Sequence, residues 1–240
     1  MTNTEQRSPL SRPGFIAAAI VVGIIVLAAI IVLVTSLTRG SDDNAAQPTE
    51  DPSTSSTPSA EASDESVCGL DGFEDMNTLT QAPENEWELV GTVAAPTEPE
   101  GAGPAEITDG LRTCYAHTAE GALFLAVNFA AMGTDASLRD RLPQLVAPGP
   151  GRDALIALGS DSSGSTLRAQ VAGYSIGSYS AKETTVDLAV NFSSGELVSL
   201  PLKLVWAEGD WKIQMTDAGV LPLSPAPIDN LGGYTPWSGA

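Results

Sequence analysis

The chain has 240 residues, with 30 Asp or Glu against 11 Lys or Arg and a formal net charge of −19. That length holds about one folded domain plus attachments. Every charged residue from Gly40 to Leu111 is acidic, whereas a phosphate backbone is held by clustered cations, so no nucleic-acid partner is expected.

Residues 1–14 read as a short cytoplasmic tail carrying Arg7 and Arg12. Residues 15–37, FIAAAIVVGIIVLAAIIVLVTSL, contain no charge. At about 1.5 Å each they would form a helix roughly 34 Å long, enough to cross a hydrocarbon core of about 30 Å. A secretory signal has a shorter apolar core and a small-residue cleavage site. No such site follows here, and no lipid-acceptor cysteine stands near the end of the run, so a retained single span is expected. Only Arg39 follows it, with Asp42 and Asp43 close behind. The basic bias puts the N-terminus in the cytoplasm and the bulk of the chain outside the cell membrane. Ala19 and Gly23, four positions apart, would let two such helices approach closely.

Residues 38–66 form an acidic Ser/Thr/Pro linker. Its main part, SDDNAAQPTEDPSTSSTPSAEASDES (Ser41–Ser66), has almost nothing apolar to bury and reads as a disordered stalk. A coil of that length spans about 28 Å on average and about 90 Å when stretched. The extracytoplasmic domain is expected over residues 67–240. It contains both cysteines, Cys68 and Cys114, and two cysteines outside the membrane generally pair. The bond would close the acidic, proline-rich region and contribute roughly 4 kcal/mol in the chain-entropy view. Two free buried thiols are the alternative.

Between Gly69 and Asp109 periodicity is weak. EWELVGTVAAP (Glu86–Pro96) reads as an edge strand, with Pro99 and Pro104 keeping the next stretch irregular. A helix then begins, with Thr118 as N-cap and Glu120 in the first turn, where the dipole favours an anion. From Ala122 to Met132 only Asn128 is polar. A helix apolar nearly all round is buried on more than one side, so this is the expected central helix. Ser137–Val146 and Arg152–Leu158 read as shorter helices separated by APGPG.

After Gly159 the apolar period becomes two. Strands are expected at about Leu167–Tyr179, Thr184–Phe192, Leu197–Trp206 and Asp210–Met215. A two-residue turn at Glu208–Gly209 opposes Trp206 to Trp211, Leu204 to Ile213 and Leu202 to Met215. Lys203, Lys212 and Gln214 then fall on the other face. A three-residue turn at Ser193–Gly195 opposes Val190 to Val198 and Leu188 to Leu200, with Gly195 at the left-handed position. Two registers that each pair apolar with apolar predict an antiparallel meander with one buried face. Helices followed by a curled meander packed on the buried helix make an α+β domain.

His117, the single histidine, lies three residues after Cys114. Thiol catalysis needs a base beside the sulfur. Cys114 has a partner in Cys68, however, and no third residue is placed to orient the imidazole, so His117 is expected to tie down the helix start. Gly173-Tyr174-Ser175-Ile176-Gly177 matches the nucleophile-elbow spacing, which needs a strand–turn–helix setting and a later His. Here it lies within a strand, and the His comes earlier. One His and two Cys cannot close a zinc site. Asp71, Glu74 and Asp75 lack calcium-loop spacing, and no phosphate-cradling or dinucleotide motif is present. Asp187 as a general base is opposed by alternation, which points it away from Leu188 and Val190 toward solvent. No catalytic, cofactor-binding or metal-binding residue is therefore assigned. The tail NLGGYTPWSGA ends on Tyr234 and Trp237, which either dock on their own domain or form a candidate partner surface.

Three stretches, GPAEITDGLRTCYAHTAEGALFLAVNFAA, VWAEGDWKI and GGYTPWSGA, occur in this order along the chain. Together they resemble a family of single-span actinobacterial proteins with an extracytoplasmic domain of unknown function, often found with conjugative elements. The likeness covers roughly Cys68–Ala240. A W-x-x-x-D-W-K hairpin that ends a helix-then-meander domain is also similar to the cone-like nuclear-transport-factor-2-like fold. Extracytoplasmic domains of bitopic conjugation and type IV secretion scaffold proteins have that fold, after the same short tail, single span and linker. The family carries no catalytic residues to transfer. What the resemblance implies is a non-enzymatic scaffold or assembly component of a cell-envelope machine, working as a homo-oligomer or with other envelope proteins. The alternative is an extracytoplasmic ligand-binding module with a pocket under the sheet. No cofactor is implied by either.

Overall fold

A computed structural model describes residues 66–159 and 168–239, which belong to one compact unit spanning Pro58–Ala240. The expected tail, span and nearly all of the linker, residues 1–65, lie outside the described residues. Two small hairpins come first. β1 (Glu86–Val90) pairs with β2 (Val93–Thr97), and β3 (Glu106–Thr108) pairs with β4 (Leu111–Thr113). Then come α1 (Ala119–Met132), a 3₁₀ helix (Arg139–Leu145) and α2 (Pro150–Leu158). The strands β5 (Ala169–Tyr179), β6 (Glu183–Phe192), β7 (Leu197–Ala207) and β8 (Asp210–Ile213) form an antiparallel meander. Two short strands, β9 (Ala226–Pro227) and β10 (Thr235–Pro236), complete the sheet in the order β10-β5-β6-β7-β8, with β9 beside β7. The domain is α+β.

α1 begins where the sequence places it. Thr118 has extended backbone, and its hydroxyl accepts the Gly121 N–H at 3.1 Å, while Glu120 occupies the first turn. The helix packs on β2 and against β5, β6 and β8, which is why its apolar residues run nearly all round. Asn128, the polar exception, is fully buried. Its amide donates to the carbonyls of Phe124 at 2.9 Å and Pro96 at 3.0 Å, so it ties α1 to β2. The 3₁₀ helix has Pro143 inside it, a residue without the N–H that an α-helix would need there.

Both expected registers are present. Trp206 opposes Trp211 and Leu204 opposes Ile213, across a turn in which Glu208 and Gly209 both have positive φ. Val190 opposes Val198 and Leu188 opposes Leu200, with Gly195 at φ 86° in the connecting loop. The ladder ends at Ile213, so Leu202 and Met215 are not paired in it.

Three expectations are corrected. Glu86–Pro96 is not one strand but most of a hairpin, folding at Gly91–Thr92 so that Val90 opposes Val93. The sheet is open, not curled into a cone. β8 has only four residues, and the chain leaving the 3₁₀ helix occupies its outer side: Val146 bridges Ile213, and the Ala147 N–H donates to the Ile213 carbonyl at 2.9 Å. Lys212, expected on a solvated face, is buried, because β8 is covered on both faces.

The core gathers α1 and the inner sheet face, with Trp211, Tyr115, Phe124, Leu123 and Leu125 among its most buried side chains. Trp206 and Trp211 meet edge to face with ring centroids 5.5 Å apart. Truncating either to Ala should cost about 3–5 kcal/mol, as loss of a buried aromatic does. That is a large part of the 5–15 kcal/mol typical of a domain. Denaturant unfolding of the two variants measures it, and wild-type stability for either would refute the register.

Candidate functional site

The chemically capable residues gather where β4 hands over to α1. Cys114 follows β4 directly and has left-handed backbone, φ 71°. It is joined to Cys68 in a disulfide, with Cα atoms 5.9 Å apart. Asp210, the first residue of β8, faces this crossing. Its carboxylate accepts the N–H groups of Cys114 at 3.1 Å, Tyr115 at 2.9 Å and Trp211 at 2.9 Å, and the Lys212 ammonium lies 3.4 Å away. Burial pushes the Asp210 carboxyl above its ordinary range, opposed by Lys212 and the N–H donors of Tyr115 and Cys114.

His117 is buried. Its ring lies parallel to Trp206 with centroids 3.7 Å apart, and meets Phe73 and Trp211 edge-on at 5.0 and 5.7 Å. Nε2 is 2.5 Å from the Ala181 carbonyl oxygen, a partner that requires the proton on Nε2. The Cys114 sulfur is thus bonded to Cys68, and the imidazole is stacked and hydrogen-bonded. The pair that invites a thiol-enzyme reading is a pinned helix entrance.

Residues 66–85 run across this entrance. The Val67 N–H donates to the Gly209 carbonyl at 2.7 Å, and the Glu74 N–H to the His117 carbonyl at 3.0 Å. The Glu74 carboxylate accepts the Ala119 N–H at 2.9 Å and the Thr78 hydroxyl. Glu74 therefore caps α1 together with Thr118, placing an anion at the positive end of the helix. From sequence it stands out only as a loose cation ligand with Asp71 and Asp75. Among the described residues no group of three or more His, Cys, Asp or Glu could hold a metal ion. Glu120 feels this crowding: burial first, then the Glu98 and Glu74 carboxylates, raise its pKa. Burial, Glu74 and Asp75 push the Tyr179 hydroxyl well above its ordinary value. That hydroxyl donates to the Glu74 carbonyl at 3.2 Å, and the Tyr174 hydroxyl to that of Gln81 at 2.8 Å.

The C-terminal tail docks on its own domain. β10 pairs with β5, Thr235 opposite Tyr174 and Pro236 opposite Gly173. Gly173 belongs to the elbow-like match, and its lack of a side chain serves this approach: a Cβ there would lie 2.8 Å from the Thr235 carbonyl oxygen. The pairing carries Trp237 inward until it is 6% exposed. There it packs against Trp87, Tyr174 and Phe124 at 4.7, 5.6 and 5.8 Å and donates Nε1–H to Asn85 at 3.1 Å. Trp237 is therefore packed into its own domain, the first of the two placements open to the tail. Tyr234 is half-buried, and its hydroxyl donates to Asp187 at 2.7 Å. The Ser199 hydroxyl lies 2.8 and 2.9 Å from the two Asp187 oxygens. Asp187 thus points away from the core, as alternation requires, but is enclosed by Ser199 and Tyr234.

Leu123, Phe124, Val127, Leu188, Leu202 and Trp211 are buried together in the core that α1 shares with the sheet. Grooves lie elsewhere. One of about 660 Å³ is walled by Glu84, Glu86, Glu98 and Glu100. Another, of about 490 Å³, lies between the 3₁₀ helix and α2, beside Leu142, Pro143, Leu155 and Ile156.

The family described as a domain of unknown function, DUF8175, matches residues 47–236, and the chain belongs to that family. No curated protein and no solved structure matches it.

Two measurements check this geometry. Trp237→Ala should destabilise the domain by about 3–5 kcal/mol; an unchanged melting temperature would show that the tail is not part of the core. Glu120 has a raised folded pKa, so its favourable contribution is full when it is protonated and is lost as pH rises through the folded value. Glu120→Gln should therefore be slightly more stable than wild type near pH 7, by under about 1 kcal/mol given its partial exposure. The advantage should vanish well below the ordinary value of 4.5. Melting curves at both extremes decide it.

Proposed function

We propose that this family member is a membrane-anchored, non-enzymatic scaffold or assembly component of a cell-envelope machine, of the conjugation or type IV secretion kind. Residues 1–14 lie in the cytoplasm, residues 15–37 cross the membrane once, and the linker presents the domain outside the cell. The domain works by offering a protein-binding surface to other envelope proteins or to a second copy of itself.

One observation carries the reading. The groups that would do chemistry are committed to holding the fold, while large apolar side chains stand in water on the segment just after the linker: Val67 is 68% exposed, Phe73 53% and Met76 69%. Apolar surface left in water marks protein contacts. The acidic balance adds a direction, since a strongly negative surface steers basic partners toward it. The machine class rests on analogy of architecture: a short tail, one span, a linker and an α+β domain.

The test is photo-crosslinking in intact cells with the probe placed at Phe73 or Met76. Envelope proteins should be captured, and capture should fall at least about tenfold, or roughly 1.4 kcal/mol, when the other position is changed to Ser. Protease added to spheroplasts should remove the domain. A domain fully protected from external protease, or crosslinks that survive these substitutions unchanged, would overturn the proposal.

A further inference from the structure

We propose that the Cys68–Cys114 bond is a redox latch: its reduction frees residues 66–85 as a strap and leaves α1 and the large sheet folded. The latch stands apart from the scaffold reading, because it concerns what holds this segment down and not what binds to it.

The strap meets the aromatic cluster at His117, which Phe73 approaches edge-on at 5.0 Å, and besides the disulfide it is held by a few scattered contacts, the Trp237 indole N–H to Asn85 at its far end among them. Two of its amides donate to the body of the domain, Val67 to Gly209 and Glu74 to His117. Two tyrosine hydroxyls, from Tyr179 and Tyr174, reach its carbonyls, and the Glu74 carboxylate receives the Ala119 N–H. Of its apolar side chains Leu79 and Ala82 pack against the core and Phe73 touches the His117 ring with one edge, while Val67 and Met76 are largely exposed. Burial, the main favourable term in folding, therefore binds the strap weakly and α1 strongly. Low local burial with few protected amides is what allows one segment to open without the rest.

The two sulfurs differ in access. Cys68 is part-exposed, whereas Cys114 is 3% exposed. Exchange therefore starts at Cys68. A thiolate of a dithiol reductant attacks the Cys68 sulfur, the S–S bond breaks, and Cys114 leaves as a thiolate that takes up a proton. The second thiol of the reductant then attacks the mixed disulfide, Cys68 leaves as a thiol, and the reductant departs as a disulfide, having supplied both electrons. Cys114 meanwhile occupies left-handed backbone that side chains with a Cβ rarely adopt, and release of the bond removes one of the constraints keeping it there.

The experiment uses the full-length protein in detergent, oxidised or reduced with dithiothreitol, and reads amide hydrogen exchange. The Val67 and Glu74 amides should exchange at least about tenfold faster after reduction, while those of α1 and β5–β8 change by less than about twofold. Reoxidation should restore both. The double variant Cys68→Ser/Cys114→Ser should match the reduced protein. If that variant does not fold, reduction of folded wild type, followed in time with thiol titration, decides alone. Unchanged protection at Val67 and Glu74 after complete thiol release would overturn the latch. So would exchange rising together in α1 and the sheet, which would make the bond a staple of the whole domain.

Discussion

Asp210 is 2% exposed, and its carboxylate collects the main-chain N–H groups of Cys114, Tyr115 and Trp211 with a lysine ammonium close by. A buried carboxylate is costly to desolvate and persists only where such donors surround it. What the arrangement gains is position. Residues 114 and 115 carry the chain from β4 to α1, and β8 lies nearly a hundred residues further on. One side chain fixes the two against each other, and the left-handed turn at Cys114 has its N–H satisfied as a result. Removing the carboxylate would leave buried donors and Lys212 without their acceptor, which is worse than never having built the site.

The aromatic entrance depends on that clamp. With β8 fixed, Trp211 donates its indole N–H to the Ala116 carbonyl at 3.1 Å, and Trp206, opposite it in the hairpin, offers a flat face to His117. The imidazole then reaches Ala181 on the turn before β6. The histidine therefore joins the start of α1, the tryptophan hairpin and the β5–β6 turn.

The features legible in the sequence are those set by local rules. The cap at Thr118, the all-round apolar helix and both hairpin registers depend on residues within about ten positions of one another, where periodicity and turn chemistry decide. The disulfide needed only a count of two cysteines. What the sequence hid depends on contacts across the chain. Lys212 alternates to the outward face of β8, yet that face is covered by other segments and the lysine turns back to Asp210. Glu74 looks like one more acid in an acidic stretch until the fold brings the α1 N-terminus to it. The β1–β2 hairpin escapes the pattern because Val90, Val93 and Ala95 read as one apolar run, and Gly91–Thr92, with glycine first, is a weaker turn signal than Ser193–Gly195 or Glu208–Gly209, where glycine comes last. The curl failed for a reason of the same kind: alternation predicts which face is buried, but not that another segment occupies the edge of a four-residue strand.

The two ends of the described domain meet. The strap passes from the disulfide along the α1 entrance to Asn85, and Asn85 accepts the indole N–H of Trp237 from the C-terminal tail. The tail reaches that point by crossing the outer sheet face, from β9 beside β7 to β10 beside β5, with Tyr234 held by Asp187 on the way. Residues that alternation assigns to solvent, Asp187 and Ser199, thereby become the seat of the crossing. An open sheet is left with edges that invite pairing, and here short strands and crossing segments occupy much of them. The carboxylates of Asp187, Asp210 and Glu74 are what make those crossings hold.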